Sequence, residues 1–242
     1  MDGKGIKGIK GIIFDYGGTI DTNGIHWMEL IWESYLHHDI PVSLGDFREI
    51  YIFVEKQLEV RKYIQQEYNF YDVLKTKIGI QLRCLCNRFS RDVDESRLLP
   101  YSEDIADECY RYVQDVLKDN KPVIRRLSGN YKLGIVSNFY GNIDTVLKDF
   151  GLYDYFNVIV DSGLEGIRKP NPEIYRIGIE RLGLQSEETI VVGDSFTNDI
   201  VPAKAVGCKA VWLNNKDKIQ HKSMGRKPDA IISSLAELEH LL

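Results

Sequence analysis

Six short apolar runs set the tightest limit on what this chain can fold into. They read IKGIIFD (9–15), KLGIVSN (132–138), FNVIVDS (156–162), TIVVGD (189–194), KAVWLN (209–214) and AIISS (230–234). Each is too short for a helix and apolar at successive positions, so a strand made from it must be covered on both faces. Strands of that kind belong to a parallel sheet flanked by helices, and the intervening segments supply those helices. NPEIYRIGIERLG shows their punctuation, with Asn171 at the N-cap, Pro172 at the first helical position and Gly183 just past the end. The rhythm predicts an α/β fold, a doubly wound (Rossmann-like) parallel sheet.

The rhythm breaks once, between the first run and the second. There the apolar residues recur at i, i+3, i+4 and i+7, the spacing of amphipathic helices. Met28, Ile31, Trp32, Tyr35 and Leu36 form one stripe, and Phe47, Ile50, Tyr51, Val54 and Leu58 a second. Tyr71, Leu74, Ile78 and Leu85 form a third, and Ile105, Cys109, Tyr112, Val113 and Val116 a fourth. Four such helices bury their stripes against one another, which predicts an inserted four-helix bundle. The expected division is a discontinuous core of residues 1–20 and 122–242 and a helical domain of residues 21–121, with the chain returning to the core near Lys121–Pro122. The insert's aromatic residues, among them Trp27, Trp32, Tyr35, Tyr51, Phe53, Tyr63, Tyr68, Phe70 and Tyr71, read mostly as the bundle's own core.

At 242 residues there is room for both parts, and 43% hydrophobic residues with 7 prolines exclude a disordered or fibrous chain. A net charge of −5 argues against nucleic acid as a partner. The basic run from Lys216 to Lys227 reads as a solvated loop. No apolar run approaches the ~20 residues of a membrane span, and the N-terminus lacks a signal-peptide pattern, so the expected location is cytoplasmic. Cys84, Cys86, Cys109 and Cys208 read as buried thiols of a reducing compartment. Nothing in the sequence specifies an oligomeric state.

Ligands of open parallel sheets bind at the carboxyl ends of the strands. The first run ends on Asp15, the second on Ser137 followed by Asn138, and the fourth on Asp194. Lys169 follows the third run, and Asp199 lies five residues after Asp194. Singly, each has a plain structural explanation as a helix cap, a turn residue or a loop cation. Together they describe a site. Asp15 and Asp194 could share a hard cation, Mg²⁺ being usual beside phosphate, with Asp199 orienting its bound water. Ser137 offers a hydroxyl and Lys169 a fixed charge to an oxygen-rich anion. A carboxylate beside them is poised to attack phosphorus.

With these residues in their order, the sequence resembles the haloacid dehalogenase (HAD) superfamily of mostly phosphate-processing hydrolases. IIFDYGGT is similar to its first motif, D-x-D-x-T, and puts Asp15 on the nucleophile and Thr19 on the threonine. Ser137 in GIVSN matches the second motif, Lys169 in RKPNPE the third, and GDSFTND, with Asp194 and Asp199, the fourth. The resemblance spans the whole chain and identifies the helical insert with the family's cap between motifs one and two. It implies catalytic roles for Asp15, Ser137 and Lys169 and phosphate contacts from Thr19, Ser137, Asn138 and Lys169. It further implies Mg²⁺ held by Asp15, the Gly17 carbonyl, Asp194 and Asp199, and a small phosphorylated metabolite as substrate.

The sequence departs from the pattern at one position. The family's phosphatases carry a second aspartate two residues after the nucleophile, as general acid and base; here that residue is Gly17. Such help is worth ~10²–10⁴ in rate. Three readings follow: a Mg²⁺-dependent phosphatase whose acid is lost or supplied by another group, with Asp21 and His26 of the short flap as candidates; a relative with other chemistry; and a non-enzyme that binds phosphate or a sugar phosphate. Of the second kind, dehalogenases would leave GDSFTND idle. Phosphonoacetaldehyde hydrolases need a Schiff-base lysine, for which Lys56, Lys62, Lys75 and Lys77 are available, although all four read as surface residues of amphipathic helices.

Overall fold

The computed structural model describes residues 5–88, 95–215 and 227–242. The basic run from Lys216 therefore lies outside the described residues, apart from Lys227. All six apolar runs form strands: β1 (Gly11–Phe14), β2 (Lys132–Ser137), β3 (Val158–Asp161), β4 (Thr189–Gly193), β5 (Lys209–Leu213) and β6 (Ala230–Ile232). They pair in parallel in the order β3-β2-β1-β4-β5-β6. Chain order reverses at β1, so Phe14 lies between Ile135 of β2 and Val192 of β4. That crevice is where an open sheet of this type presents its ligand site.

Both faces of the sheet are covered, as the apolar runs require. α6 (Ile143–Asp149) and α7 (Ser162–Glu165) follow β2 and β3, and Ile13, Val136, Val160 and Val191 pack under α8 (Glu173–Leu182) and α9 (Val201–Ala205). Ile12, Phe14, Ile135 and Val192 face the other way, into a core continuous with that of the insert. The punctuation of α8 is shifted by one residue. The helix starts at Glu173 with Pro172 before it, yet the Asn171 side chain still caps it, accepting from the Glu173 N–H at 3.0 Å. Gly183 closes it in the left-handed conformation, φ 66°.

The insert holds α1 (Trp27–His37), α2 (Leu44–Val60), α3 (Phe70–Arg88), the single turn α4 (Glu95–Leu98) and α5 (Tyr101–Ser128). All five residues of the α2 stripe are buried. The other stripes are less complete: Leu36 is 49% exposed, and Tyr112 and Val116 are half-buried. No break occurs at Lys121–Pro122, because α5 runs through Pro122 to Ser128. Its reason is burial: Ile105, Cys109 and Val113 fill the bundle, while Val123, Ile124 and Leu127 join the core beneath the sheet. Cys109 and Cys208 are buried, whereas Cys84 and Cys86 are only half-buried, and none forms a disulfide. Among the described residues, no helix is long and apolar enough to cross a membrane.

Candidate active site

β1 delivers Asp15 to the crevice, where its N–H still bonds the Val192 carbonyl at 2.9 Å. The chain then makes a wide turn, Tyr16–Ile20, closed by the Asp21 N–H on the Tyr16 carbonyl. Gly18 is required there twice over. Its φ is 96°, and a Cβ on it would sit 2.6 Å from the Asp194 carboxylate. Gly17 is different: φ −75° and ψ 114° suit any residue, and a Cβ would meet nothing closer than the Trp27 ring at 3.8 Å. The turn therefore explains the second glycine and not the first.

Lys169 ties the site together. Its ammonium lies 2.5 Å from Asp15 Oδ1 and 2.8 Å from Asp199 Oδ1, with all three side chains buried. Ser137 Oγ donates to the same Asp15 oxygen at 3.2 Å. Asp15 Oδ2 takes a long contact from the Thr19 hydroxyl, at 3.5 Å. Thr19 also reaches Asp194 Oδ1 at 3.3 Å and accepts from the Asp194 N–H at 3.0 Å, stitching the turn to the tip of β4. Asn138 pairs with the Lys169 backbone in both directions, accepting its N–H at 2.9 Å and donating to its carbonyl at 3.1 Å. It thereby fixes the loop that aims the ammonium.

Asp199 accepts three bonds: from Lys169, from the Tyr175 hydroxyl at 2.9 Å and from the Ser195 N–H at 3.0 Å. Tyr175 reads in the sequence only as an apolar-face residue of α8, and its hydroxyl had no signal there. Burial pushes the carboxyls of Asp15 and Asp194 above the usual carboxylate range; Lys169 pulls Asp15 back, whereas Asp15 and Asp199 push Asp194 further up. Burial opposes the charge on Lys169, but Asp15 and Asp199 outweigh it and hold the ammonium protonated.

The donor set fits a hard divalent cation. Asp15, Asp194 and Asp199 each offer an oxygen within 4.8 Å of the others. With all three carboxyls ionised, they and the one ammonium leave an excess of two negative charges in a largely buried space, which one divalent ion would neutralise. Asp15 Oδ2 and the Asp194 carboxylate are least committed to protein partners; Asp199 is the most committed, which suits it to orienting the others.

The two flap candidates part company. His26 is exposed and caps α1, its Nδ1 accepting the Met28 N–H at 3.1 Å. Asp21 is buried beside the turn. Its Oδ1 accepts the Gly18 N–H at 2.7 Å and its Oδ2 the Trp27 indole N–H at 2.8 Å. Of the four lysines, Lys56, Lys62 and Lys75 are exposed as expected, but Lys77 is not. It is buried in an ion pair with Glu55, lies 4.9 Å from the centre of the Tyr51 ring, and Glu55 in turn accepts the hydroxyl of Tyr140 at 3.0 Å. Burial opposes its charge, but Glu55 prevails and holds it well above the usual lysine range. The helical periodicity put Lys77 at a surface position because it cannot show that a glutamate waits on the neighbouring helix.

Residues 9–207 match the family model of the haloacid dehalogenase-like hydrolases. The chain belongs to this family. Among curated members of the HAD-like hydrolases, the pyrimidine 5'-nucleotidase YjjG of Escherichia coli is 34% identical over 122 residues, 50% of this chain and 53% of its own. The glyceraldehyde 3-phosphate phosphatase of Methanocaldococcus jannaschii is 25% identical over 95% of both chains. The chain thus spans about half the length of YjjG and nearly all of the archaeal phosphatase. The HAD fold is likewise seen in the putative HAD-hydrolase YfnB of Bacillus subtilis, solved bound to magnesium, at TM-score 0.59 and 21% identity over 97% of this chain and 98% of that one. Solved dehalogenases are also among the structural neighbours.

Proposed function

We propose that this hydrolase is a Mg²⁺-dependent phosphatase of a small phosphorylated metabolite, working through an aspartyl-phosphate on Asp15. The observation that carries the reading is the position of Asp15 at the tip of β1, one oxygen held by Lys169 and Ser137 and the other in a long contact with the Thr19 hydroxyl. In this reading, residues 21–121 cap a core formed by residues 1–20 and 122–242.

Asp15 Oδ2 attacks phosphorus, and the bond from phosphorus to the alcohol oxygen breaks. Lys169 and Ser137 orient the attacking carboxylate and offer donors to the phosphoryl oxygens. Thr19 and Asn138 act less on phosphate than on geometry, holding the turn against β4 and the Lys169 loop in place. Mg²⁺ on Asp15, the Gly17 carbonyl, Asp194 and Asp199 would offset the phosphate charge while the nucleophile approaches. Water then attacks the phosphoryl group and returns Asp15 as a carboxylate.

A cavity of about 530 Å³ opens at the seam of insert and core, bounded by Arg61, Lys62, Phe139, Tyr140 and Arg168; it adjoins the loops of Asn138 and Lys169 but is lined by none of Asp15, Ser137, Lys169 and Asp194. A phosphonoacetaldehyde-type reaction loses support, since the buried lysine is the protonated partner of Glu55 and no nucleophile. The experiment is phosphate release from an activated aryl ester with and without Mg²⁺, for the wild type and Asp15→Asn. The proposal expects release that needs Mg²⁺ and is abolished in Asp15→Asn. If the aryl ester does not turn over while Mg²⁺ and a phosphate mimic still bind, the chain is a binding protein.

A further inference from the structure

If the chain is a phosphatase, a proton must still reach the leaving oxygen, and Gly17 cannot carry it. The backbone at position 17 does not demand glycine, and the direction its Cβ would take leads to the edge of the Trp27 indole, Nε1 included, at 3.8 Å. Behind that same N–H, 2.8 Å away, is Asp21 Oδ2. Asp21 stands where the core passes into the insert and is anchored to the core: its other oxygen is fixed to the Gly18 N–H, and its own N–H closes the turn that follows Asp15. Trp27 belongs to the insert, as the first residue of α1, with its ring against Phe70 of α3. One hydrogen bond therefore joins a carboxyl anchored to the core's turn to a side chain of α1, directly beside the position that lacks its acid.

We propose that Asp21 supplies the acid–base function missing at Gly17, and that Trp27 gates it, covering the carboxyl when the insert is closed on the core and uncovering it when the insert shifts. With the indole in place both oxygens of Asp21 accept hydrogen bonds, which favours the carboxylate; withdrawal of Trp27 leaves Oδ2 open to take or give a proton. Burial already pushes the carboxyl up to about 7, against the pull of its two donors, where it exchanges a proton readily near neutrality. The charged and titratable groups whose fields couple with it are Asp15 at the tip of β1, Asp194 at the tip of β4, Tyr16 of the turn, Tyr51 of α2 and Tyr112 of α5. In the first step the Asp21 proton passes to the departing alkoxide as the phosphorus–oxygen bond breaks. In the second, Asp21 takes a proton from the water that attacks phosphorus, the bond to Asp15 breaks, and phosphate leaves with both carboxyls restored.

The test compares aryl and alkyl phosphate esters, because an aryl alcohol departs without a proton and an alkyl alcohol needs one. In the wild type the two should turn over within about tenfold of each other. Asp21→Asn should slow alkyl esters by ~10²–10⁴, yet still release one equivalent of aryl alcohol per protein in a rapid burst, because only the later water attack lacks its base. A merely structural role for Asp21 would lower burst and steady state together. Adding Gly17→Asp to Asp21→Asn should recover at least about tenfold of the alkyl-ester rate. Trp27→Phe, which opens Oδ2, should raise that rate by up to about tenfold, the worth of one hydrogen bond. Should Asp21→Asn not fold, the wild-type comparison decides: alkyl esters slower than aryl by ~10² or more would show that no acid operates. Asp21→Asn turning over alkyl esters like the wild type overturns this assignment and leaves the phosphatase reading intact. A wild type inactive on both esters overturns both.

Discussion

Gly17 and Gly18 are adjacent and make opposite demands on substitution. At Gly18, alanine would carry φ near 96° and drive its Cβ into the Asp194 carboxylate, so Gly18→Ala should cost about 1–3 kcal/mol or more. At Gly17 the backbone is already in a region that alanine prefers, and Gly17→Ala should raise stability by about 0.4–1 kcal/mol. Urea unfolding midpoints of the two variants read this difference, and shifts of the same sign would contradict it. Asp21 adds a pH dependence. Its folded value of about 7 stands above the model-peptide 3.8, so the folded state holds a proton that the unfolded state has lost. Its contribution is fully present below pH ~3.8 and is lost as pH rises through about 7. Asp21→Asn should flatten the fall in melting temperature over that window.

α2 and α3 show how the insert is fastened to the core. On α2, Glu55 and Glu59 lie one helical turn apart. Glu55 holds buried Lys77 of α3 and accepts from Tyr140, while Glu59 meets Arg168 at 2.9 Å. Tyr140 and Arg168 flank Asn138 and Lys169, so one helix grips both loops of the site. The two ties differ in worth. Lys77→Met strips Glu55 of its buried partner and should cost about 3 kcal/mol, at the low end for such pairs because Glu55 keeps 28% of its side chain in water. Glu59→Gln breaks a pair that is a third exposed and should cost less than about 1 kcal/mol. Denaturant titration checks both. These ties were illegible in the sequence because each joins residues from distant segments. The strands were legible because two-sided burial leaves its mark in consecutive residues. So was α2, whose stripe is buried on one face over its whole length. Residues at strand tips, Asp15, Ser137 and Asp194, could be picked out because parallel topology assigns them to one edge. Tyr175 and Trp27 could not, since a hydroxyl or indole N–H on an apolar helix face looks like core. Pro122, near which the sequence predicts the return to the core, lies inside α5; a proline marks a weak point in a helix, but packing at both ends of α5 holds it continuous.

For the molecule as a whole, the excess of negative charge in the crevice couples cation binding to stability. Protons and Mg²⁺ compete for Asp15 and Asp194, both pushed up by burial. Mg²⁺ should therefore raise the melting temperature little at pH 5 and progressively more toward pH 8.5, and a constant increment would count against the assigned site. Every element that frames the crevice converges on one atom, the less encumbered oxygen of Asp15. Quenching the protein in acid during turnover of an aryl phosphate and mapping its peptides by mass spectrometry reads that atom's role directly. A nucleophilic role for Asp15 requires one phosphoryl group on the peptide that contains it, removed by hydroxylamine and absent from Asp15→Asn. Turnover with no such adduct, or with the phosphoryl group on another residue, would contradict it.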